Sequence, residues 1–99
     1  MARLTWHIRA LRDLDVITDR IAEDSPVHAE QVARRVFGRA TLLLQQPRQG
    51  RRLPEYDGPR DVREVFVRLW RVIYEVKRET ITILAIIHGA RLVGNADPL

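Results

Sequence analysis

The chain has 99 residues, 45% of them hydrophobic and 30% charged, with no cysteine and a net charge of +4 that comes largely from sixteen arginines. That length sustains one two-layer domain spanning residues 1–99 and not two, and the missing thiols exclude disulfides and thiolate metal sites. The longest uninterrupted apolar run, residues 83–87, is far short of the ~20 needed to cross a bilayer, and Arg3, His7 and Arg9 interrupt any apolar start, so the expectation is a cytoplasmic chain, neither exported nor membrane-spanning.

Residues 4–8 alternate. Leu4, Trp6 and Ile8 face one way and Thr5 and His7 the other, as a half-buried strand requires. From residue 9 the period becomes helical. Ala10, Leu14, Ile17 and Ile21 share a stripe that Leu11 and Ala22 widen, while Arg12, Asp13, Asp15, Asp19 and Arg20 take the wet side. Ser25 then offers an N-cap, and Pro26 a first helical residue whose missing N–H is not needed there. The second helix is predicted from 26 to about 46. Val32, Val36, Ala40 and Leu43 lie on its apolar stripe, Gly38 implies the approach of another backbone, and Pro47 is the stop. So short a link makes the pair an antiparallel hairpin.

Residues 47–61 are rich in proline, glycine and arginine and read as a loop, long enough to be a functional candidate. Three β-rich segments follow, at 62–68, 71–77 and 80–88. The links at Arg68-Leu69 and Arg78-Glu79 suit hairpins but lack Asn-Gly chemistry. In 80–88 apolar residues occupy both parities, so both faces of that strand look covered. Residues 89–99 read as an irregular tail. The order strand, helix, helix, strand, strand, strand indicates an α+β fold, β-α-α-β-β-β. The helical hairpin covers one face of a single sheet, the last three strands form an antiparallel meander, and the first strand joins at an edge.

Charge is uneven: net −2 over residues 1–33, +6 over 34–71, and balanced over 72–99. The basic middle points to an acidic partner, either nucleic acid or an acidic protein segment, with a merely solvated arginine-rich surface as the alternative. No glycine-rich phosphate loop, serine nucleophile motif or histidine spacing for a metal occurs, so neither cofactor nor metal is expected. What remains is Arg71, His88 and Arg91. Metal-free RNA cleavage needs cations for phosphorane-like charge and a group that titrates near neutrality, which these three could supply. The competing reading makes His88 a hydrogen-bonded strand end and Arg91 a binding residue. Trp6 and Tyr74 read as core, and Trp70 as either sheet cover or an exposed contact.

The segments W-x-x-x-A-L-R-D-L (6–14), I-A-E-D-S-P (21–26), Q-P-R-Q-G-R (46–51), V-R-E-V-F-V (62–67), W-R-V-I-Y-E-V (70–76) and I-L-A-I-I-H-G-A-R (83–91), in this order, resemble the ParE/RelE toxin superfamily of bacterial toxin–antitoxin modules. The resemblance implies the same hairpin-on-sheet fold and a cognate antitoxin, ParD-like, that wraps an acidic, partly disordered segment over the toxin. RelE-like members cut mRNA on the ribosome. Arg71 and Arg91 match two arginine positions of that pattern, but Glu64 and Phe66 stand where it has lysines, and no tyrosine follows Tyr74. ParE-like members poison DNA gyrase, and the P-x-x-G-R loop and H-G-A-R strand end are closer to them. The resemblance thus implies a gyrase-inhibiting toxin, with a metal-free endoribonuclease using Arg71, His88 and Arg91, or a degenerate non-toxic antitoxin binder, as alternatives. Antitoxin contacts are expected at Arg34, Arg35, Arg39, Arg51 and Arg52 and at an open sheet edge. Target contacts are expected at Arg68, Trp70, Arg71 and Arg91. His7 replaces the usual Ser or Thr cap, which implies a first helix that starts late or frays.

Overall fold

A computed structural model describes residues 1–91 and 93. Strand β1 (Arg3–Trp6) leads into helices α1 (Ile8–Asp24) and α2 (Pro26–Leu42), followed by strands β2 (Arg51–Arg52), β3 (Asp61–Val67), β4 (Trp70–Lys77) and β5 (Thr80–His88). The sheet order is β1-β5-β4-β3-β2. β3, β4 and β5 form the antiparallel meander, and β1 lies parallel to β5 at one edge. The two-residue β2, paired antiparallel with β3 inside the predicted loop, is an addition to the expected order. Most of the expected tail, residues 92 and 94–99, lies outside the described residues. No described helix is long and apolar enough to cross a membrane.

Local chemistry explains the helix ends. His7 caps α1 after all: its Nδ1 accepts the Arg9 N–H at 3.0 Å, so an imidazole nitrogen does what a hydroxyl usually does and the helix begins without delay at Ile8. Ser25 serves both helices. Its N–H donates to the Ile21 carbonyl and its Oγ accepts the His28 N–H at 3.1 Å. α2 ends earlier than the predicted residue 46, because the Leu43, Leu44 and Gln45 N–H groups bond three residues back and tighten the chain toward Pro47. An added Cβ on Gly38 would meet nothing among the described residues, so no described backbone approaches it.

Both hairpin turns are two-residue loops, with Arg68 (φ 53°) and Arg78 (φ 57°) at the first position, in the left-handed region that usually takes glycine. The strands impose these turns on residues that would not choose them. The two-parity pattern of β5 also has a cause. Its register against β4 shifts between Ile73 and Tyr74, so that Tyr74 pairs with Ile83, Ile73 with Ala85, and Leu84 is extra. Ile81, Ile83 and Ile86 therefore join the helix-side core with Ala10, Leu14, Val32, Val36 and Leu43. Leu84, Ala85 and Ile87 join a second cluster with Leu53, Val62 and Ile73 on the other face. The long 43–60 connection covers that face, with Leu53 buried in it and Tyr56 packed against it.

Asp13 is not on the wet side. At i+3 from Ala10 and i−4 from Ile17 it belongs to the inward stripe, and its Oδ2 accepts the Ile86 N–H at 2.9 Å while its Oδ1 takes Arg9 Nε at 2.8 Å. A helix carboxylate thus satisfies a strand amide that lies beyond the stretch of β5 paired with β1, and fixes α1 to β5. Asp13→Ala should cost about 1.5–3 kcal/mol, the range for a hydrogen bond to a charged group, and Asp13→Asn, which keeps an acceptor, should cost less. Urea unfolding of the two variants checks this; equal stability of Asp13→Ala and the wild type would contradict it.

Candidate functional site

Arg71 faces the second side of the sheet with its side chain only 5% exposed. Its Nε donates to Glu64 Oε1 at 2.5 Å, its two terminal nitrogens donate to the two Glu55 oxygens at 2.6 Å each, and Nη1 also reaches the Arg91 carbonyl at 2.9 Å. Glu64, whose side chain is 0% exposed, gives its other oxygen to Arg51 Nε at 2.5 Å. The Val93 N–H donates to Glu55 at 3.1 Å. This planar, bidentate fork is the geometry in which guanidinium and carboxylate bind best. One cluster therefore ties together β2, β3, β4, the long connection, Arg91 and Val93. Hydrogen bonds from Arg71 hold the Glu55 carboxyl down at about 2, from 4.5. Glu55, and then Glu64, push the Arg71 guanidinium further into its protonated range against the cost of burial.

His88 is exposed and lies on the other side of the sheet. It pairs across the strands with Trp70, which packs into the helix-side core, whereas Arg71 pairs with Ile87 on the second face. The His88 Nδ1 accepts the Ala90 N–H at 3.1 Å and its carbonyl accepts the Arg91 N–H at 2.9 Å, so the imidazole closes the turn after β5. In the neutral ring this places the remaining N–H on Nε2. The Arg91 side chain shares a groove with His88, Trp70 and α1. Of the three candidate ribonuclease residues, His88 and Arg91 come together and Arg71 stands behind the sheet.

The family model for the ParE toxin of the type II toxin–antitoxin system, parDE, matches residues 4–93. The chain belongs to the ParE toxin family. It is 36% identical over 93 residues to the curated protein Toxin RelE2 of Caulobacter vibrioides, covering 93% of this chain and 100% of that one. It also matches a chain in the solved structure of the chromosomal ParDE TA system from P. aeruginosa with a TM-score of 0.73 and 27% identity, covering 89% of this chain and 96% of that one. The protein is thus a toxin of the ParE family of type II toxin–antitoxin systems.

In this ParE-family toxin the P-x-x-G-R loop has a structural reason. The buried Tyr74 hydroxyl donates to the Pro47 carbonyl at 2.8 Å and accepts the Gly50 N–H at 3.0 Å. An added Cβ on Gly50 would run into the Glu64 carbonyl oxygen and that hydroxyl. Burial raises the Tyr74 phenol above its ordinary range.

Much of the basic excess is answered within the fold. Asp61 pairs with Arg48 and Arg63, Glu75 takes Arg60 in two bonds of 2.9 Å, and Arg51 and Arg71 share Glu64. Hydrogen bonds from Arg60 lower the Glu75 carboxyl and raise the guanidinium in turn. Of the candidate antitoxin contacts, Arg34 pairs with Glu30 along α2, Arg39 reaches Gln49 at 3.2 Å, and the exposed Arg35 and Arg52 make no ion pair among the described residues. The Arg39–Gln49 bond ties α2 to the segment leading into β2, the strand that carries Arg51 and Arg52. Arg68, also exposed and without an ion pair among the described residues, sits at the β3–β4 turn beside half-buried Trp70. Sequence reading missed Glu55, Glu64 and Asp13. Only Asp13 and Glu64 carried a signal, each being a carboxylate at an inward position of an apolar pattern.

Proposed function

We propose that this toxin arrests growth by binding DNA gyrase on cleaved DNA, without chemistry of its own, and that a cognate ParD-like antitoxin neutralises it. The observation that carries this reading is the fate of Arg71. Four of its N–H bonds point at Glu55, Glu64 and the Arg91 carbonyl, and two carboxylates occupy the place a phosphate would need. Arg71 meets Arg91 only at its main-chain carbonyl, and its side chain leaves the sheet on the face opposite His88. The name RelE2 borne by a relative keeps the ribonuclease reading in view, but the separation of Arg71 from His88 weighs against it. Arg71 is accordingly reassigned from target contact to holding the fold. Arg68, Trp70 and Arg91 remain the candidate contacts with the target. Arg34, Arg35, Arg39, Arg51 and Arg52 are the basic residues offered to an acidic antitoxin segment, and the two-residue β2 leaves a short open edge.

Induction of the chain without antitoxin, followed by primer extension on cellular mRNA, tests this. Growth arrest with no codon-linked cuts is expected. Codon-linked cuts that vanish in His88→Ala would establish the ribonuclease instead, and unimpeded growth would favour a degenerate, non-toxic antitoxin binder.

A further inference from the structure

The two hairpin turns of the sheet are built alike. Arg68 and Arg78 both hold a left-handed φ, of 53° and 57°. In each turn the next carbonyl is tied down from a neighbouring segment: the Gly89 N–H donates to the Leu69 carbonyl at 2.7 Å, and the Arg3 N–H to the Glu79 carbonyl at 2.8 Å. The turns differ in what they present. Glu79 is exposed and charged, as water favours. Leu69, at the equivalent place, is 62% exposed, and Phe66 at the base of the same turn is 50% exposed. Two large apolar side chains thus stand out at one tip, where hydration penalises them.

The tip is also braced. A Cβ on Gly89 would lie 3.2 Å from the Leu69 carbonyl oxygen and 3.4 Å from Phe66 Cε2. The glycine of the H-G-A-R strand end therefore lets the chain after β5 close against both residues, and a tip held in advance leaves less freedom for a partner to remove. Arg68 is exposed and makes no ion pair among the described residues. Glu55 and Glu64, on the Phe66 side of the sheet, are held by Arg71, the cross-strand partner of Phe66.

An aromatic and an aliphatic side chain beside one guanidinium suit a protein surface that offers an apolar pocket and a carboxylate. A nucleic acid fits less well, because its affinity grows with the number of cations set on its phosphates, and Arg68 is one. A second copy docked tip to tip would set Arg68 against Arg68. We propose that the β3–β4 tip is the anchor by which the toxin engages DNA gyrase: Leu69 and Phe66 enter an apolar pocket on the gyrase protein, and Arg68 pairs with a carboxylate at its rim. The proposal rests on the reading of the chain as a gyrase-binding toxin, and it adds Phe66 and Leu69 to the candidate contacts Arg68, Trp70 and Arg91.

The test measures binding of the full chain to purified gyrase, to plasmid DNA alone, and to the protein encoded by the neighbouring reading frame. Leu69→Asp should weaken gyrase binding about tenfold or more, as loss of a central anchor does. Arg68→Gly should weaken it about threefold at low salt, a difference that fades at high salt. Arg78→Gly removes the same charge and relieves the same φ, and should leave gyrase binding unchanged. All three positions are exposed and glycine suits a left-handed turn, so the variants should fold and hold the neighbouring protein as wild type does, which melting curves check. If Leu69→Asp and Arg68→Gly bind gyrase like wild type, the tip is not the anchor, while the gyrase reading stands. Equal losses in Arg68→Gly and Arg78→Gly would reduce the effect to net charge and overturn the anchor, as would losses confined to DNA or to the neighbouring protein. If the wild-type chain does not bind gyrase at all, the gyrase reading fails and the anchor with it.

Discussion

Arg71→Met should lower folding stability by about 3 kcal/mol, the low end of the ~3–5 kcal/mol cost of removing one partner of a buried ion pair. The low end applies because Arg51 still touches Glu64 from the solvent side. A domain of this size loses roughly 4–8 °C of Tm per kcal/mol, so melting should fall by more than about 12 °C. Glu64→Gln in the same chain removes the stranded charge and should restore a large part of the loss; a purely steric role for Arg71 would show no such rescue. The pH dependence gives a separate check. The Glu55 carboxyl titrates at about 2 in the folded protein against 4.5 ordinarily, because Arg71 donates to it. Its contribution is complete above about 4.5 and disappears as the pH falls toward about 2. In Arg71→Met that part of the acid limb should vanish, leaving the smaller one from Glu75 beside Arg60. An unchanged acid profile of the variant would mean that the cluster does not hold the fold together.

Gly50→Ala should cost about 2–3 kcal/mol. The methyl group has no room between the Glu64 carbonyl and the Tyr74 hydroxyl, so either β2 leaves β3 or the Gly50–Tyr74 bond breaks, and a lost buried hydrogen bond alone costs about 1–3 kcal/mol. Tyr74→Phe should cost about 1–3 kcal/mol for the same reason, because it strands the Gly50 N–H and the Pro47 carbonyl. The double variant should be less destabilised than the sum of the two, because removing the hydroxyl makes space for the methyl. Strict additivity in urea unfolding would show that the clash is absorbed elsewhere.

The elements were legible wherever one period held over many residues. The α1 stripe, the Ser25-Pro26 joint and the three long strands were all visible in the sequence. So was the edge position of β1, because a short strand ahead of a helix hairpin has few other places to pair. β2 was not legible, since two consecutive arginines carry no alternation. The register of β5 was not either, because the extra Leu84 moves the inward parity from odd to even, and a sequence window averages across that shift. Asp13 was placed in water by its charge although its spacing put it inside. The greatest loss of information concerned Arg71. Its partners lie seven and sixteen residues away, and nothing local marks Glu55 as the residue that will fold back on it. A strand arginine at a position where nuclease relatives keep charge therefore looked available. The same holds for the basic middle segment, whose apparent excess is partly consumed by Asp61, Glu64 and Glu75.

That consumption changes what the surface offers a partner. Within the basic middle segment, Arg35, Arg39, Arg52 and Arg68 stay outward with no ion pair among the described residues, spread over α2, β2 and a turn rather than convergent on one point as phosphoryl chemistry requires. The most direct measurement is a DNA cleavage assay with purified DNA gyrase, supercoiled plasmid and the purified toxin. Accumulation of linear, gyrase-linked DNA that the antitoxin abolishes is the predicted result. Unchanged supercoiling at excess toxin, together with cleavage of ribosome-bound mRNA by the same preparation, would contradict it.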